Sequence, residues 1–94
     1  MITLIIYDIA DDSKRTKLSS HLKQYGLYRI QYSGFKGDIN SNDRHVLVNE
    51  LSQFLSKETD SIYIIPLCSS CTRTVSIISK SKGKFEEKEK VKII

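Results

Sequence analysis

The sequence contains no long apolar run, and this absence excludes a membrane-spanning helix. A helix that crosses a bilayer needs about 20 consecutive apolar residues, whereas the densest apolar stretch here, residues 2–9, is far shorter. That stretch also lacks the flanking residues of a signal peptide. We therefore expect a soluble, cytoplasmic protein with no membrane partner.

Cysteine is scarce, with a single C-x-x-C pair at Cys68 and Cys71. A structural zinc site takes four ligands, and His21 and His45 fall on predicted helices far away in the sequence, so a Cys₂His₂ centre is poorly supported. A thioredoxin-type redox pair needs a helix after the first cysteine, yet residues 72–79 are rich in β-branched side chains. We expect partly buried structural thiols without a metal. A Cys₄ site between two copies and an intrachain disulfide stay as alternatives.

Strong overall basicity is also lacking once the end of the chain is set aside. The 94 residues carry a net charge of +4 with a pI near 9.1, which suits a polyanionic partner. Residues 80–94 hold six lysines against three glutamates and so supply +3 of that +4. We therefore divide the chain into one domain, residues 1–79, and a basic C-terminal tail, residues 80–94.

The tail allows two interpretations. A charged run of this kind is most often a solvated tail. It ends, however, in the apolar sequence VKII, which is a poor ending for pure disorder. The alternative is that Phe85 or this final segment packs on a partner subunit as an added strand.

Residues 2–8, ITLIIYD, predict the strand around which the domain is built. Such a dense apolar strand indicates the middle of a sheet, with cover expected on both faces. Side chains alternate between the faces of a strand. One face then carries Ile2, Leu4, Ile6 and Asp8, and the other carries Thr3, Ile5, Tyr7 and Ile9. Asp8 therefore ends an otherwise apolar row.

Residues 12–25 predict a helix that Asp11 or Asp12 can cap and that Gly26 can end. Its buried stripe is formed by Leu18, Leu22 and Tyr25.

One turn upstream of that stripe, Arg15 is expected to face the sheet near Asp8, as a salt bridge at the helix start or as a phosphate ligand. Lys14, Lys17 and His21 form a separate exposed row.

The remaining pattern predicts two short strands, residues 27–32 and 34–39, with a bend or bulge allowed by Gly34 and Gly37, and then a second helix. That helix is capped by Asn40 or Ser41 and ends near Lys57; its buried residues are Leu47, Leu51, Phe54 and Leu55. Strands follow over residues 61–67 and 75–78. The order βαββαβ indicates an α+β, ferredoxin-like fold, with two helices on one face of a four-stranded antiparallel sheet.

Three features together resemble a known family. They are a first strand that ends in Tyr7-Asp8-Ile9, an early helix that carries Arg15, and the segment RIQYSGFKG over residues 29–37. The combination is similar to the small CRISPR-associated adaptation proteins, which are metal-dependent nucleases that also bridge the spacer-acquisition integrase. The sequence Pro66-Leu67-Cys68 is similar to that family as well.

The resemblance implies a homodimer in which the two Asp8 carboxylates face each other and together hold one Mg²⁺ ion. It also implies that the C-terminal segment extends the neighbour's sheet. By similarity, Arg15 and Arg29 contact the nucleic-acid backbone, as Lys14 and Lys17 can by charge alone.

The residues themselves leave two roles open for Asp8. One carboxylate is a weak Mg²⁺ ligand unless a two-fold axis duplicates it. Asp8 can instead cap the next loop through Ser13 or a backbone amide; the resemblance favours the metal ligand. Tyr7 and Phe35 can stack on bases or fill the core, and for Tyr7 the core is favoured.

Three functions follow from the resemblance. The first is a Mg²⁺-dependent endonuclease, acting on single-stranded RNA or duplex DNA in spacer acquisition for antiviral defence, with Asp8 as the catalytic residue. The second is a DNA-binding scaffold that bridges integrase dimers without catalysis. The third is a toxin-like ribonuclease. The fold alone does not choose among them.

Overall fold

The strand predicted over residues 2–8 is β1 (Ile2–Asp8), and it lies inside a four-stranded antiparallel sheet. β1 pairs on one side with β3 (Gly34–Asp38) and on the other with β4 (Ser61–Leu67), while β2 (Tyr28–Gln31) pairs with β3. The strand order is β2-β3-β1-β4. This computed structural model describes residues 1–78 and the strand pairing of residues 92–93, and it has the expected α+β, ferredoxin-like fold.

Two helices cover one face of the sheet. They are α1 (Asp12–Gln24) and α2 (Ser41–Leu51), and a 3₁₀ turn, Ser52–Phe54, follows α2. Asp11 caps α1 by accepting a hydrogen bond from the Lys14 N–H at 3.0 Å, and Asn40 caps α2 through the Asp43 N–H at 2.7 Å. Gly26 follows α1 with a φ of 82°, a conformation that glycine adopts without strain.

The core lies between these helices and the sheet. Its buried apolar residues are Ile5, Tyr7, Ile9, Leu18, Leu22, Leu27, Phe35, Ile39, Leu47, Leu51 and Phe54. Leu55 was predicted to belong to it, but that prediction is wrong because Leu55 is 40% exposed. The helix has ended there: the Leu55 backbone is extended, with a φ of −88° and a ψ of 131°, so helical periodicity no longer applies.

Neither α1 nor α2 covers the other face of the sheet, and we call it the open face, although Lys36 of β3, which pairs with Leu4 there, is 1% exposed. It carries Ile2, Leu4, Ile6 and Asp8 of β1 together with Ser61, Tyr63, Ile65 and Leu67 of β4. Ile6 is 46% and Tyr63 is 62% exposed. The expectation that β1 is covered on both faces is therefore not met within the described chain, because both helices pack on the same side.

The β2–β3 hairpin turns at residues 32–33, close to the predicted position. Its bulge lies in β2 between Arg29 and Gln31, rather than at either glycine of β3. Gly37 serves a different purpose. A Cβ at this position would lie 2.7 Å from Leu27 Cδ2 and 3.1 Å from Leu27 Cα, so the absence of a side chain allows the segment before β2 to pack closely.

After β4 the chain forms α3 (Ser69–Arg73) and then β5 (Ser76–Ile77), which pairs in parallel with β6 (Lys92–Ile93). The prediction that no helix follows Cys68 is wrong. The Thr72 and Thr74 hydroxyls donate to the carbonyls of Cys68 and Cys71 at 3.0 and 2.8 Å, so these β-branched side chains support the turn.

The prediction of partly buried thiols is also wrong, since Cys68 and Cys71 are both exposed. The predicted tail, residues 80–94, falls outside the described residues apart from the pairing of residues 92–93, and the Phe85 contact therefore stays a prediction. No helix in the described part of the chain is long and apolar enough to cross a membrane.

Candidate nuclease site and its surroundings

Asp8 is the last residue of β1 and shares a face with Ile2, Leu4 and Ile6, as the alternation predicted; that face is the open face. It is exposed and pairs across the sheet with Ser61 of β4. Its carboxylate has no hydrogen bond or ion pair with any residue that the structure describes. The capping role considered for Asp8 is filled by Asp11 instead, so the Asp8 oxygens stay available to a ligand.

The loop that follows Asp8 is held by Asp60, which sequence reasoning missed. The Asp60 carboxylate accepts hydrogen bonds from the N–H groups of Ala10, Ser56 and Lys57 at 3.1, 2.9 and 3.0 Å. These donors, led by Lys57 and Ser56, lower the pKa of Asp60 to about 2. The only signal in the sequence was an acid placed directly before the strand that pairs with Asp8.

Arg15 holds the same loop from its other side. Its guanidinium donates to the carbonyls of Ile9 at 2.8 Å and Ala10 at 3.1 Å and forms an ion pair with Asp12. The structure therefore contains the salt bridge at the helix start that was one of the two interpretations. Contact with phosphate stays a prediction for Arg15.

Arg29 is likewise held by protein groups. Its guanidinium lies 4.9 Å from the centre of the Phe35 ring and donates to the Ser19 hydroxyl at 2.9 Å and to the Tyr32 carbonyl. Arg15 and Arg29 line one open groove, whose other lining residues are Tyr7, Asp12, Thr16, Ser19 and Tyr32. The structure thus brings the two predicted arginines together.

The arginine groove and Asp8 lie on opposite sides of the sheet. Arg29 pairs with Phe35, which in turn pairs with Ile5, and paired residues point to the same face. That face is the one covered by the helices, whereas Asp8 shares the open face with Ile6. A nucleic acid that touches both must therefore pass around the end of the strands.

The lysine row is only partly as predicted. Lys17 is exposed, and the Lys14 ammonium donates to the Gln53 carbonyl at 3.4 Å. His21 does not belong to an exposed row, because its ring packs 5.6 Å from the rings of both Tyr25 and Phe54. Its position three residues after Leu18 places it beside the buried stripe.

Glu50 completes a polar cluster between α1 and α2 that the sequence did not reveal. Its carboxylate accepts from the Tyr25 hydroxyl at 2.7 Å and lies 2.9 Å from His21 Nε2. The Tyr25 hydrogen bond is the main reason that the pKa of Glu50 is lowered, and the same bond raises the pKa of Tyr25. This cluster joins the two helices far from Asp8.

The aromatic rings of Tyr7 and Phe35 belong to the core. Tyr7 is 4% and Phe35 is 0% exposed, and their ring centres lie 6.3 Å apart. Neither ring presents a free face for a base in this structure. The core role considered for both residues is the one observed.

Asp8 has the chemistry of a Mg²⁺ ligand but supplies an incomplete set of ligands. A hard cation prefers carboxylate oxygen, and Mg²⁺ keeps several waters; the exposed, unengaged Asp8 carboxylate fits that preference. Within the described residues no three His, Cys, Asp or Glu side chains cluster in a way that could hold a metal ion. The described part of one chain therefore offers a single carboxylate at this position.

A family model described as CRISPR associated protein Cas2 matches residues 1–75. The chain belongs to the Cas2 family. It is 39% identical over 94 residues to the CRISPR-associated endoribonuclease Cas2 1 of Archaeoglobus fulgidus, and the aligned region covers 100% of both chains. It is 37% identical over 87 residues to the CRISPR-associated endoribonuclease Cas2 of Desulforudis audaxviator, covering 93% of this chain and 82% of the relative.

Solved structures agree with a Cas2 fold. A hypothetical protein of Thermus thermophilus superposes with a TM-score of 0.65 and 29% identity, covering 72% of this chain and 82% of that one. Streptococcus pyogenes Cas2, solved at pH 6.5, gives a TM-score of 0.64 over 72% of this chain and 87% of that one. At 22% identity, the second likeness concerns the fold alone.

Proposed function

We propose that this Cas2 protein is a homodimeric, Mg²⁺-dependent endonuclease that acts in CRISPR spacer acquisition beside the adaptation integrase. The observation that carries the proposal is the Asp8 carboxylate, which is exposed at the end of the central strand and engaged by no described residue. The names of the curated relatives support RNA as a substrate, and duplex DNA is the alternative substrate.

The open face supports the dimer. It combines an apolar surface, with Ile6 46%, Tyr63 62% and Ile65 36% exposed, and a carboxylate at one end. A two-fold contact through this face is self-complementary and covers apolar area that otherwise faces water. It would also place two copies of Asp8 in one assembly, which supplies the second carboxylate that a single chain lacks.

The residues around Asp8 have distinct tasks in this proposal. Asp60 and Arg15 bind the backbone of residues 9 and 10 from two sides, so they fix the direction in which β1 ends. Lys17 and the arginine groove attract the phosphate backbone by charge, which makes binding salt-sensitive and largely independent of base sequence. Bound Mg²⁺ would polarise the scissile phosphodiester and assist ionisation of the attacking water.

The test is cleavage of labelled single-stranded RNA and duplex DNA by the purified protein with Mg²⁺ and then with EDTA. Wild type is compared with Asp8→Ala and Asp8→Asn, and Asp38→Asn serves as the matched control. Asp38 is a carboxylate of the neighbouring strand β3, where it only pairs with the N-terminal amine at 2.7 Å and is 73% exposed. Loss of cleavage at Asp8 but not at Asp38 is the expected result. Cleavage that survives Asp8→Ala would refute the proposed role.

A second candidate is a non-catalytic scaffold that binds DNA and bridges integrase dimers. The observation in its favour is the absence of a multi-ligand metal cluster among the described residues of the single chain. The scaffold predicts that Asp8→Ala leaves DNA binding and integrase association unchanged and that the wild type cleaves neither substrate. Electrophoretic mobility shifts at two salt concentrations, run beside the cleavage assay, separate the two functions.

A further inference from the structure

Cys68 and Cys71 lie on one helical turn at the end of β4. The Cys68 carbonyl accepts a hydrogen bond from the Thr72 N–H at 2.9 Å, and the Cys71 carbonyl accepts one from the Thr74 N–H at 3.1 Å. Cys68 is the N-cap residue of α3 and Cys71 is the third residue of that helix, so both side chains start from the same turn, the close spacing that a disulfide requires. Both thiols are exposed.

The two sulfur atoms are not equivalent. The neighbouring Cys71, chiefly through its backbone N–H, lowers the pKa of the Cys68 thiol. The side-chain contact with Cys68 raises the pKa of Cys71. Since the thiolate is the nucleophile in exchange reactions, Cys68 has the character of an attacking sulfur and Cys71 that of a resolving one.

We propose that Cys68 and Cys71 form a reversible dithiol–disulfide centre that exchanges with low-molecular-weight disulfides such as oxidised glutathione. In the first step the Cys68 thiolate attacks one sulfur of the small disulfide, so that a mixed disulfide forms and one thiolate leaves. In the second step the Cys71 sulfur gives up its proton and attacks the Cys68 sulfur, and the second small thiolate leaves. The protein loses two thiol hydrogens, and the small disulfide is reduced to two thiols.

The centre is separate from Asp8. In the β1–β4 pair Asp8 lies opposite Ser61, whereas Ile2 at the other end lies opposite Leu67, which directly precedes Cys68. Six residue steps of a strand span about 20 Å. The cysteine turn instead lies where the chain leaves the main sheet towards β5, so a disulfide there would restrain the exit of the C-terminal part. Exposed disulfides of this kind are the labile, regulatory ones.

The experiment uses the full chain with EDTA present, equilibrated in glutathione buffers of increasing oxidised fraction, then alkylated and weighed intact. For the wild type we expect an internal disulfide, seen as the loss of two hydrogens and of both alkylation sites, reversed by dithiothreitol. For Cys71→Ser we expect a trapped glutathione adduct on Cys68, because this variant keeps the backbone N–H of residue 71, the main cause of the lowered pKa of Cys68.

Three outcomes would overturn the inference. They are wild-type thiols that stay reduced in the most oxidising buffer, persistent glutathione adducts on the wild type, and disulfides that link two chains. Circular dichroism checks the fold of each variant, and the wild-type result does not depend on any substitution. Absence of an adduct on Cys68 in Cys71→Ser would overturn the assignment of Cys68 as the attacking sulfur.

Discussion

Neighbouring residues of β1 differ in burial because they point to opposite faces of the sheet. On the helix side Ile5 is 0% exposed, whereas Ile6 on the open face is 46% exposed. Alternation along β1 therefore places buried core residues on one side and leaves Ile6 and Asp8 exposed on the other. Asp8 takes no part in the apolar core.

The largest contrast between the faces is expected for Ile5→Ala and Ile6→Ala. Truncation of the fully buried Ile5 should lower the free energy of unfolding by about 2–5 kcal/mol, because it removes apolar contact and leaves a cavity. Ile6→Ala should cost the monomer much less. Urea denaturation measures both values. If Ile5→Ala does not fold, Ile5→Val replaces it, with an expected loss of unfolding free energy of about 0.5–1.5 kcal/mol.

Measurements at several protein concentrations extend the comparison of Ile5→Ala with Ile6→Ala. If a second copy covers the open face, the cost of Ile6→Ala should grow as the protein concentration is raised, since dimer contacts then contribute to stability. The cost of Ile5→Ala should not change. Equal costs for the two variants at low concentration would contradict the assignment of the faces.

A second contrast uses the two glycines of β3. Gly37 pairs with Thr3 on the covered face, and a Cβ there would lie 2.7 Å from Leu27 Cδ2. Gly37→Ala should therefore destabilise by about 1–3 kcal/mol through overpacking. Gly34 pairs with Ile6 on the open face, where the nearest atoms to an added Cβ are at 3.6 Å.

Gly34→Ala is the matched control for that prediction. It should be neutral or stabilise by about 0.4–1 kcal/mol, because it restricts the unfolded chain without a clash. Thermal unfolding of the two variants side by side gives the comparison. A larger loss of stability at Gly34 than at Gly37 would show that the covered face is less tightly packed than its distances indicate.

A smaller effect is expected at the cap that starts the covering helix. Asp11→Ala removes the acceptor of the Lys14 N–H at 3.0 Å and should cost about 1 kcal/mol. Asp11→Asn keeps an acceptor at that position and should recover most of the loss. Failure of the asparagine variant to recover stability in urea denaturation would assign the effect to charge rather than to capping.

The smallest effect is expected when the pH is lowered. It acts through Asp60, whose carboxylate binds the loop between β1 and α1. The pKa of Asp60 is lowered from 3.8 to about 2 in the folded protein, so the ionised form stabilises the fold above about pH 3.8. That contribution is lost as the pH falls from 3.8 towards 2. The urea midpoint should drop across this window, and the drop should be shallower in Asp60→Asn. An unchanged profile would refute the role of Asp60.

Local patterns accounted for most of the fold and for part of the candidate site. The apolar run before Asp8 and the leucine spacing of both helices are short-range signals that were read correctly. Each helix cap was predicted as one of two neighbouring residues, and Asp11 and Asn40 are the ones observed. Two predictions were wrong for local reasons. Helical periodicity did not show that α2 ends in a 3₁₀ turn before Leu55. The β-propensity of the threonines did not show that their hydroxyls support the α3 turn.

The contacts between distant segments could not be read from the sequence. Asp60 binds the loop after Asp8 across 50 positions of the chain, and Glu50 meets Tyr25 and His21 only because the two helices pack together. Arg15 and Arg29 were chosen by similarity to the family, but their shared groove and its separation from Asp8 follow from the tertiary structure.

The sequence by itself determined the order of the elements, the alternation of β1 and the place of Asp8 at the end of an apolar row, because these depend on the periods of strands and helices. Only the tertiary structure decided that α1 and α2 leave one face of β1 uncovered, that the arginines lie on the opposite face from Asp8, and that the two cysteines share one exposed turn. Those outcomes depend on which side of the sheet both helices pack, and on contacts between residues that are far apart in the chain.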